Sequence, residues 1–373
     1  MRKGIATVSL SGVLTDKLAA AAAAGFDGVE IFDNDLVASP LSPREVARRC
    51  GDLGLAIDLF QPVRDVQGVP PEEFDAVLHR LRVKLDVMAE LGTTTLLACS
   101  NVRADSVEDP GLTAGQLHAV GDLAAERGVT VAFEALAWGR HVNRLAHAWE
   151  AVRSADHPAV TVAVDTFHLL ARGDDGTALA GIPGDRIGFL QVADAPLLRM
   201  DLLEWSRHFR CFPGQGTLDV TGVVAATLEA GYRGPLSLEV FSDLVREVDP
   251  VVTARDAMRS LLFLEDRVAG VLSGAAGPTA GPTAGARAVV TAAPPPARRT
   301  EAAFLEVPQL ADGPDVPALL TGLGFALAGR HRTKPVQWWR SGDAHVVLNA
   351  AVPAAQAALG VIAPPVAGVA ARA

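Results

Sequence analysis

What the chain has little of bounds it first. Cysteine occurs only three times in 373 residues, as Cys50, Cys99 and Cys211, far apart and in no CxxC pair. Neither a disulfide framework nor a thiolate zinc site is suggested, and a reducing compartment is expected. Positive charge is also short, since 33 Lys and Arg face 43 Asp and Glu for a formal net charge of -10. A phosphate backbone is bound by clustered cations that release its counterions, so nucleic acid is not an expected partner. No apolar run reaches the roughly 18 residues of a membrane span. No GxGxxG opens the first helix, which removes the dinucleotide-binding reading. The start, Met1 to Lys3 before Gly4 to Leu10 and then the small residues Ala19 to Ala24, imitates a signal peptide. Thr7, Ser9 and Ser11 interrupt its apolar centre, however, and it reads better as a strand followed by an alanine-rich helix. A soluble cytoplasmic protein is the expectation.

What is present is an alternation of short β-branched runs with longer amphipathic segments, the pattern of repeated βα units. Eight strands are predicted, over Ile5–Leu10, Gly28–Phe32, Ala56–Phe60, Thr94–Ala98, Thr130–Glu134, Val160–Val164, Ile187–Gln191 and Leu236–Val240. Helices are predicted over Pro43–Leu53, Pro71–Leu91, Thr113–Arg127, Arg144–Ser154, Val220–Ala230 and Val251–Arg267, several ending at a glycine suited to a left-handed cap. Eight such units make an α/β protein, a closed (β/α)8 TIM barrel over 1–268, close to the ~250 residues usual for that fold. The segment 269–300 is rich in Ala, Gly, Pro and Thr and repeats Gly-Pro-Thr-Ala-Gly, which marks a linker. A small, partial βαβββ module is predicted over 301–350, and the nearly uncharged tail 351–373 is expected to have little order.

A parallel barrel assembles its site at the C-terminal ends of its strands. Four polar residues close apolar runs there: Glu134 after Val129 to Phe133, Asp165 after Val160 to Val164, Gln191 after Ile187 to Leu190, and Glu239 after Leu236 to Leu238. One such residue alone is as readily a solvated or salt-bridged group. Three carboxylates and an amide oxygen in register form a hard oxygen site for one divalent ion, because carboxylates that close repel one another without a cation.

The segments around them, Phe133 to Asn143, Val164 to His168, Phe189 to Asp194 and Leu238 to Phe241, resemble the xylose-isomerase-like barrel superfamily. Gln61-Pro62-Val63-Arg64-Asp65, Cys99-Ser100-Asn101 and the run from Ser206 to Gly216 are similar to the bacterial 3-dehydroshikimate dehydratases within it. Gln191, where many sugar isomerases of the superfamily carry histidine, favours that branch. The resemblance covers residues 1–268. It implies Glu134, Asp165, Gln191 and Glu239 as ligands of Mg2+, Mn2+ or Co2+, and a lyase that turns 3-dehydroshikimate into protocatechuate and water. A general base must then stand beside the substrate's ketone. His168 is the expected base, although a hydrogen-bonded histidine under the rim is the alternative, and His141 and His208 are weaker candidates. The substrate's carboxylate calls for arginine, whose planar fork binds both oxygens at once. Arg64 and Arg210 are expected in that role, with Ser206 adding a hydroxyl. Glu30 is expected to orient Arg64 or a neighbour, Asn101 to act no more directly, and Trp138 and Phe241 to wall the pocket.

The segment from Phe304 to Asn349 resembles the start of a vicinal-oxygen-chelate module like that of 4-hydroxyphenylpyruvate dioxygenase. Full modules of that kind hold iron with two histidines and a carboxylate in a later part, so no dioxygenase activity is expected, and His331 and His345 are read as surface or structural residues. The appendage is either an association surface, which would make a homo-oligomer, or a remnant, and its strand edges require cover. The rival readings of the barrel are a sugar or polyol isomerase, epimerase or inosose dehydratase on the same metal site, and a non-catalytic ligand-binding barrel. Apurinic-site endonuclease activity is disfavoured by the acidic charge.

Overall fold

The computed structural model describes residues 1–274, 289–293, 301–309, 313–350 and 368–372, with the backbone alone for 301–303 and 368–372. Most of the expected linker, and 351–367 of the expected tail, lies outside the described residues. Two compact units divide the chain, Met1–Ala293 and Pro294–Ala373.

The first unit is a closed barrel of eight parallel strands in sequential order: β1 (Lys3–Ala6), β2 (Gly28–Phe32), β3 (Ala56–Arg64), β4 (Thr95–Cys99), β5 (Thr130–Glu134), β6 (Val160–Asp165), β7 (Ile187–Val192) and β8 (Leu236–Leu238). The helices are α1 (Leu14–Ala24), α2 (Asp33–Val37), α3 (Pro43–Asp52), α4 (Phe74–Leu91), α5 (Pro110–Ala125), α6 (Leu145–Ala155), α7 (Thr166–Ala171), α8 (Leu202–His208), α9 (Val220–Glu229), α10 (Asp243–Glu247) and α11 (Pro250–Gly274). The long helices bury one stripe on the sheet. In α4 that stripe is Val77, Leu81, Leu85 and Met88 at helical spacing, and Gly92 then ends the helix with a φ of 73°.

Three differences from the sequence expectation have local causes. Strand β1 stops at Ala6 and turns through a short 3-10 segment, Thr7–Ser9, because its hydroxyls serve neighbouring strands. Thr7 Oγ1 accepts from the Phe32 amide and Ser9 Oγ from the Val240 amide. Strand β8 correspondingly ends at Leu238 rather than Val240. Helix α11 runs to Gly274, past the boundary expected at 268, since Leu264, Val268 and Leu272 keep its buried stripe going.

The barrel interior is a packed layer. Leu59, Leu97, Ala132, Ala163 and Phe189, one from each of β3 to β7, form it together with Cys99 and Leu136. Side chains two apart share a face of a strand, so the residues two positions beyond this layer also point inward at the C-terminal mouth.

The second unit has β9 (Glu301–Pro308), α12 (Val316–Gly322), β10 (Ala326–Arg330), β11 (Val336–Ser341), β12 (Ala344–Asn349) and β13 (Gly368–Arg372), with sheet order β10-β11-β12-β9-β13. The βαβββ sequence of elements is present, packed on Val307, Val316, Leu320, Trp339, Val346 and Leu348. At 368–372 β13 pairs antiparallel with β9 and covers that edge. His345 accepts from the Trp338 indole and His331 from the amides of Thr333 and Lys334. No helix among the described residues is long and apolar enough to cross a membrane.

Phe189 is 2% exposed in the interior layer, and truncating it leaves a cavity that parallel strands cannot close. Phe189→Ala is expected to lower unfolding free energy by about 3–5 kcal/mol, read from the midpoint of a urea titration.

Candidate active site

The interior layer sets the site. Ala132, Ala163 and Phe189 are followed two positions later by Glu134, Asp165 and Gln191, and Ser237, which bonds inward to Glu30, is followed by Glu239. Strand register places Asp165 opposite Gln191, and Cys99 opposite Glu134. All four expected ligands are buried, none more than 4% exposed.

The structure brings them together unequally. One oxygen each of Glu134 and Asp165 and a ring nitrogen of His168 all lie within 4.8 Å of one another. Glu239 stands across the Arg210 guanidinium, whose Nη1 donates to Asp165 Oδ2 at 2.8 Å and to Glu239 Oε2 at 3.3 Å. Gln191 is fixed from behind, its Nε2 donating to Glu30 Oε2 at 2.7 Å, which leaves its Oε1 buried. Neither that atom nor Glu134 Oε1 has a hydrogen-bond partner among the described residues. A buried polar atom without a partner is costly, and two orphaned oxygens beside two further carboxylates are the donor set a hard divalent cation satisfies. The residues present therefore fit a metal ion.

The electrostatics agree. Burial, then the charges of Asp165 and Glu239, push the Glu134 carboxyl well above its ordinary range. Burial raises Glu239 to about 7 against the pull of Arg210. Burial also works against the Asp165 charge, but Arg210 and His168 outweigh it and hold that carboxyl below its usual value. One guanidinium thus compensates part of the negative charge of this cluster, and a second cation would lower the two raised glutamates.

Among the described residues Glu30 has no hydrogen bond or ion pair with Arg64. Its carboxylate accepts from Gln61 Nε2 at 2.8 Å, from Gln191 Nε2 and from Ser237 Oγ. It is the group that turns the Gln191 amide so that oxygen, not nitrogen, is left over. Burial and then Glu239 raise its carboxyl well above the ordinary range.

Asp165 also caps α7, its Oδ1 accepting from the Phe167 and His168 amides, which fixes His168 one turn into that helix. His168 Nδ1 accepts from the Ala137 amide at 3.2 Å, and Nε2 lies 3.1 Å from Arg210 Nη2, 3.8 Å from Glu134 and 3.9 Å from Asp165. Burial first, then the charges of Arg210, Arg207 and Arg64, lower its pKa to about 3 despite Asp165. The ring is neutral near pH 7. His141 and His208 lie elsewhere: the first bonds the Ser106 carbonyl at 2.9 Å and the second pairs with Asp243 at 2.9 Å.

The mouth above is lined by Arg64, Trp138, Ser206, Arg207, Arg210 and Phe241. Arg64 closes β3, and the loop after it is tied to Asn101, whose amide N–H bonds Gln67 Oε1 and whose Nδ2 bonds the Gln67 carbonyl. Arg210 is only 2% exposed, and its Nε and Nη2 both donate to Ser206 Oγ. Its position follows from buried Asp194, which accepts from the backbone amides of Gly214, Gly216 and Leu218 and so folds the loop that carries it.

The sequence reading passed over Arg207, Asp194 and helix α8. Asp201, whose side chain accepts from the Leu203 and Glu204 amides, is an N-cap signal that would have placed α8 and with it Ser206 and Arg207.

A family model described as "Xylose isomerase-like TIM barrel" matches residues 18–264. The 3-dehydroshikimate dehydratase of Pseudomonas putida is 50% identical over 352 residues, which are 94% of this chain and 54% of that protein. The enzyme of that name from Pseudomonas aeruginosa is 49% identical over the same shares. A solved structure, a "xylose isomerase-like TIM barrel/4-hydroxyphenylpyruvate dioxygenase fusion protein", is 48% identical with a TM-score of 0.79, covering 94% of this chain and 56% of that one. The chain thus spans about half the length of the curated relatives it matches.

Cation binding to the native state alone is expected to stabilise the protein by ~2.7 kcal/mol at a hundredfold excess of Mn2+ over its Kd. A thermal shift titration should show this in the wild type, and Glu134→Ala or Gln191→Leu should abolish it.

Proposed function

Because the chain belongs to the xylose isomerase-like TIM barrel family, we propose that it is a carbon-oxygen lyase that dehydrates 3-dehydroshikimate to protocatechuate with one bound divalent cation, Mg2+, Mn2+ or Co2+. The observation that carries the reading is the convergence of Glu134, Asp165 and neutral His168 beneath a mouth lined by arginines. Relatives that share about half of the aligned residues and bear the name of that activity support it.

Glu134, Asp165, Gln191 and Glu239 would hold the ion, and Glu30 would keep the Gln191 oxygen turned toward it. When bound, the cation supplies Lewis-acid stabilisation of the negative charge that develops on the substrate's ketone oxygen. His168 takes the proton from the carbon beside the ketone and passes it on. Hydroxide leaves from the neighbouring ring carbon, gains that proton and departs as water. Tautomerisation of the remaining ring completes a catechol acid, so the atoms balance with no oxidant or reductant. Trp138, in edge contact with His168 at 5.0 Å between centroids, closes the side of the pocket and limits water beside the base.

The purified full chain with Mn2+, Mg2+ or Co2+ is expected to convert 3-dehydroshikimate to a product with catechol-acid absorbance. His168→Ala should lower kcat by about 10²–10⁴-fold, while retaining the cation-induced thermal shift. Turnover of a neutral sugar or polyol in place of this substrate would overturn the assignment.

A further inference from the structure

Three arginines reach the pocket, and they differ in what they already hold. Arg210 donates from Nε, Nη1 and Nη2 to Ser206, Asp165 and Glu239, inside the acidic cluster. Arg64 and Arg207 have no hydrogen bond or ion pair among the described residues, although both line the pocket. Unpaired guanidinium groups are ordinary in solvent. Arg207 is not in that situation, being half-buried at the end of α8. Its guanidinium carbon lies 4.7 Å from the Phe241 ring centroid and 5.9 Å from that of Trp138. Two aromatic rings hold the group in place without satisfying its N–H donors.

We infer that Arg207, with Arg64, forms the site that receives the carboxylate of the substrate, and that Arg207 is a specificity-determining residue of this enzyme. The inference rests on the proposed function for the identity of the substrate, but the ligand class, a small ring carrying one carboxylate, follows from the pocket itself. Its two ends are opposite in charge. Buried Glu134 and Glu239 lie at the deep end, and two less buried, unneutralised cations, Arg64 and Arg207, lie toward the mouth. A ligand with oxygens at one end and a carboxylate at the other fits in a single orientation. Burial and the nearby Arg64 charge both make the Arg207 charge harder to hold, and a bound anion would relieve that strain. The planar fork suits bidentate contact with a carboxylate, which a lysine ammonium does not reproduce.

Binding separates this from a wall residue that merely packs on Phe241. The metal-loaded full chain is titrated with protocatechuate, with benzoate and with catechol, which lacks the carboxylate, following tryptophan fluorescence. The wild type should bind both carboxylates, and Arg207→Met, which keeps the aliphatic stem, should weaken them about 10- to 100-fold with catechol affinity unchanged. Arg207→Lys should recover part of the loss. In turnover, Arg207→Met should raise KM for 3-dehydroshikimate by a similar factor with kcat nearly unchanged. Equal loss of catechol and carboxylate binding, unchanged carboxylate binding in Arg207→Met, or a wild type that does not distinguish the two classes would each overturn the inference. Arg207-dependent binding of benzoate by a wild type that fails to turn over 3-dehydroshikimate would support the clamp and reject the proposed function. Normal turnover with an indifferent Arg207→Met would do the reverse.

Discussion

Negative charge gathered in a dry place governs this molecule. Glu134, Asp165 and Glu239 are each 4% exposed or less at one end of the barrel, with Glu30 fully buried beneath them. Like charges so close in low dielectric cannot all ionise without a counter-charge. The Arg210 guanidinium supplies one, between Asp165 and Glu239. It leaves Glu134 Oε1 and Gln191 Oε1 unsatisfied, and those two atoms define what the site still lacks. The same cluster stands beside buried His168 and a pocket lined by Arg64, Arg207 and Arg210.

The scaffold achieves this with period and register alone. Every second residue of a barrel strand faces the axis, so the apolar layer of Leu59, Leu97, Ala132, Ala163 and Phe189 is capped by functional side chains one step higher. Buried carboxylates then fix their directions. Glu30 turns the Gln191 amide, Asp165 starts the helix that holds His168, and Asp194 gathers the loop that delivers Arg210. Because these contacts span strands far apart in sequence, the site exists only when the barrel is closed, and its precision depends on the stability of the whole unit.

Much of this was legible from the residues. The alternation of short β-branched runs with amphipathic segments located all eight strands to within a few positions, and strand-end polarity picked out Glu134, Asp165, Gln191 and Glu239. Both signals are local in sequence. What escaped reading was set by tertiary contact: the early end of β1, where Thr7 and Ser9 hydroxyls bond to β2 and to the segment after β8, and the burial of Arg210 among carboxylates. Glu30 illustrates the limit well. Its place in β2 suggested a supporting role, but only the fold shows that its partners are Gln61, Gln191 and Ser237 rather than Arg64. Strand β13 was invisible because a run of Ala, Gly and Val has no alternation, and its pairing with β9 is a backbone matter.

The most direct test of the central claim is an anomalous difference map from crystals of the full chain grown with Mn2+. The account predicts one peak among the side-chain oxygens of Glu134, Asp165, Gln191 and Glu239, with the Arg210 guanidinium withdrawn from between Asp165 and Glu239. A map with no peak there, and Arg210 still bridging the two carboxylates at saturating Mn2+, would contradict it.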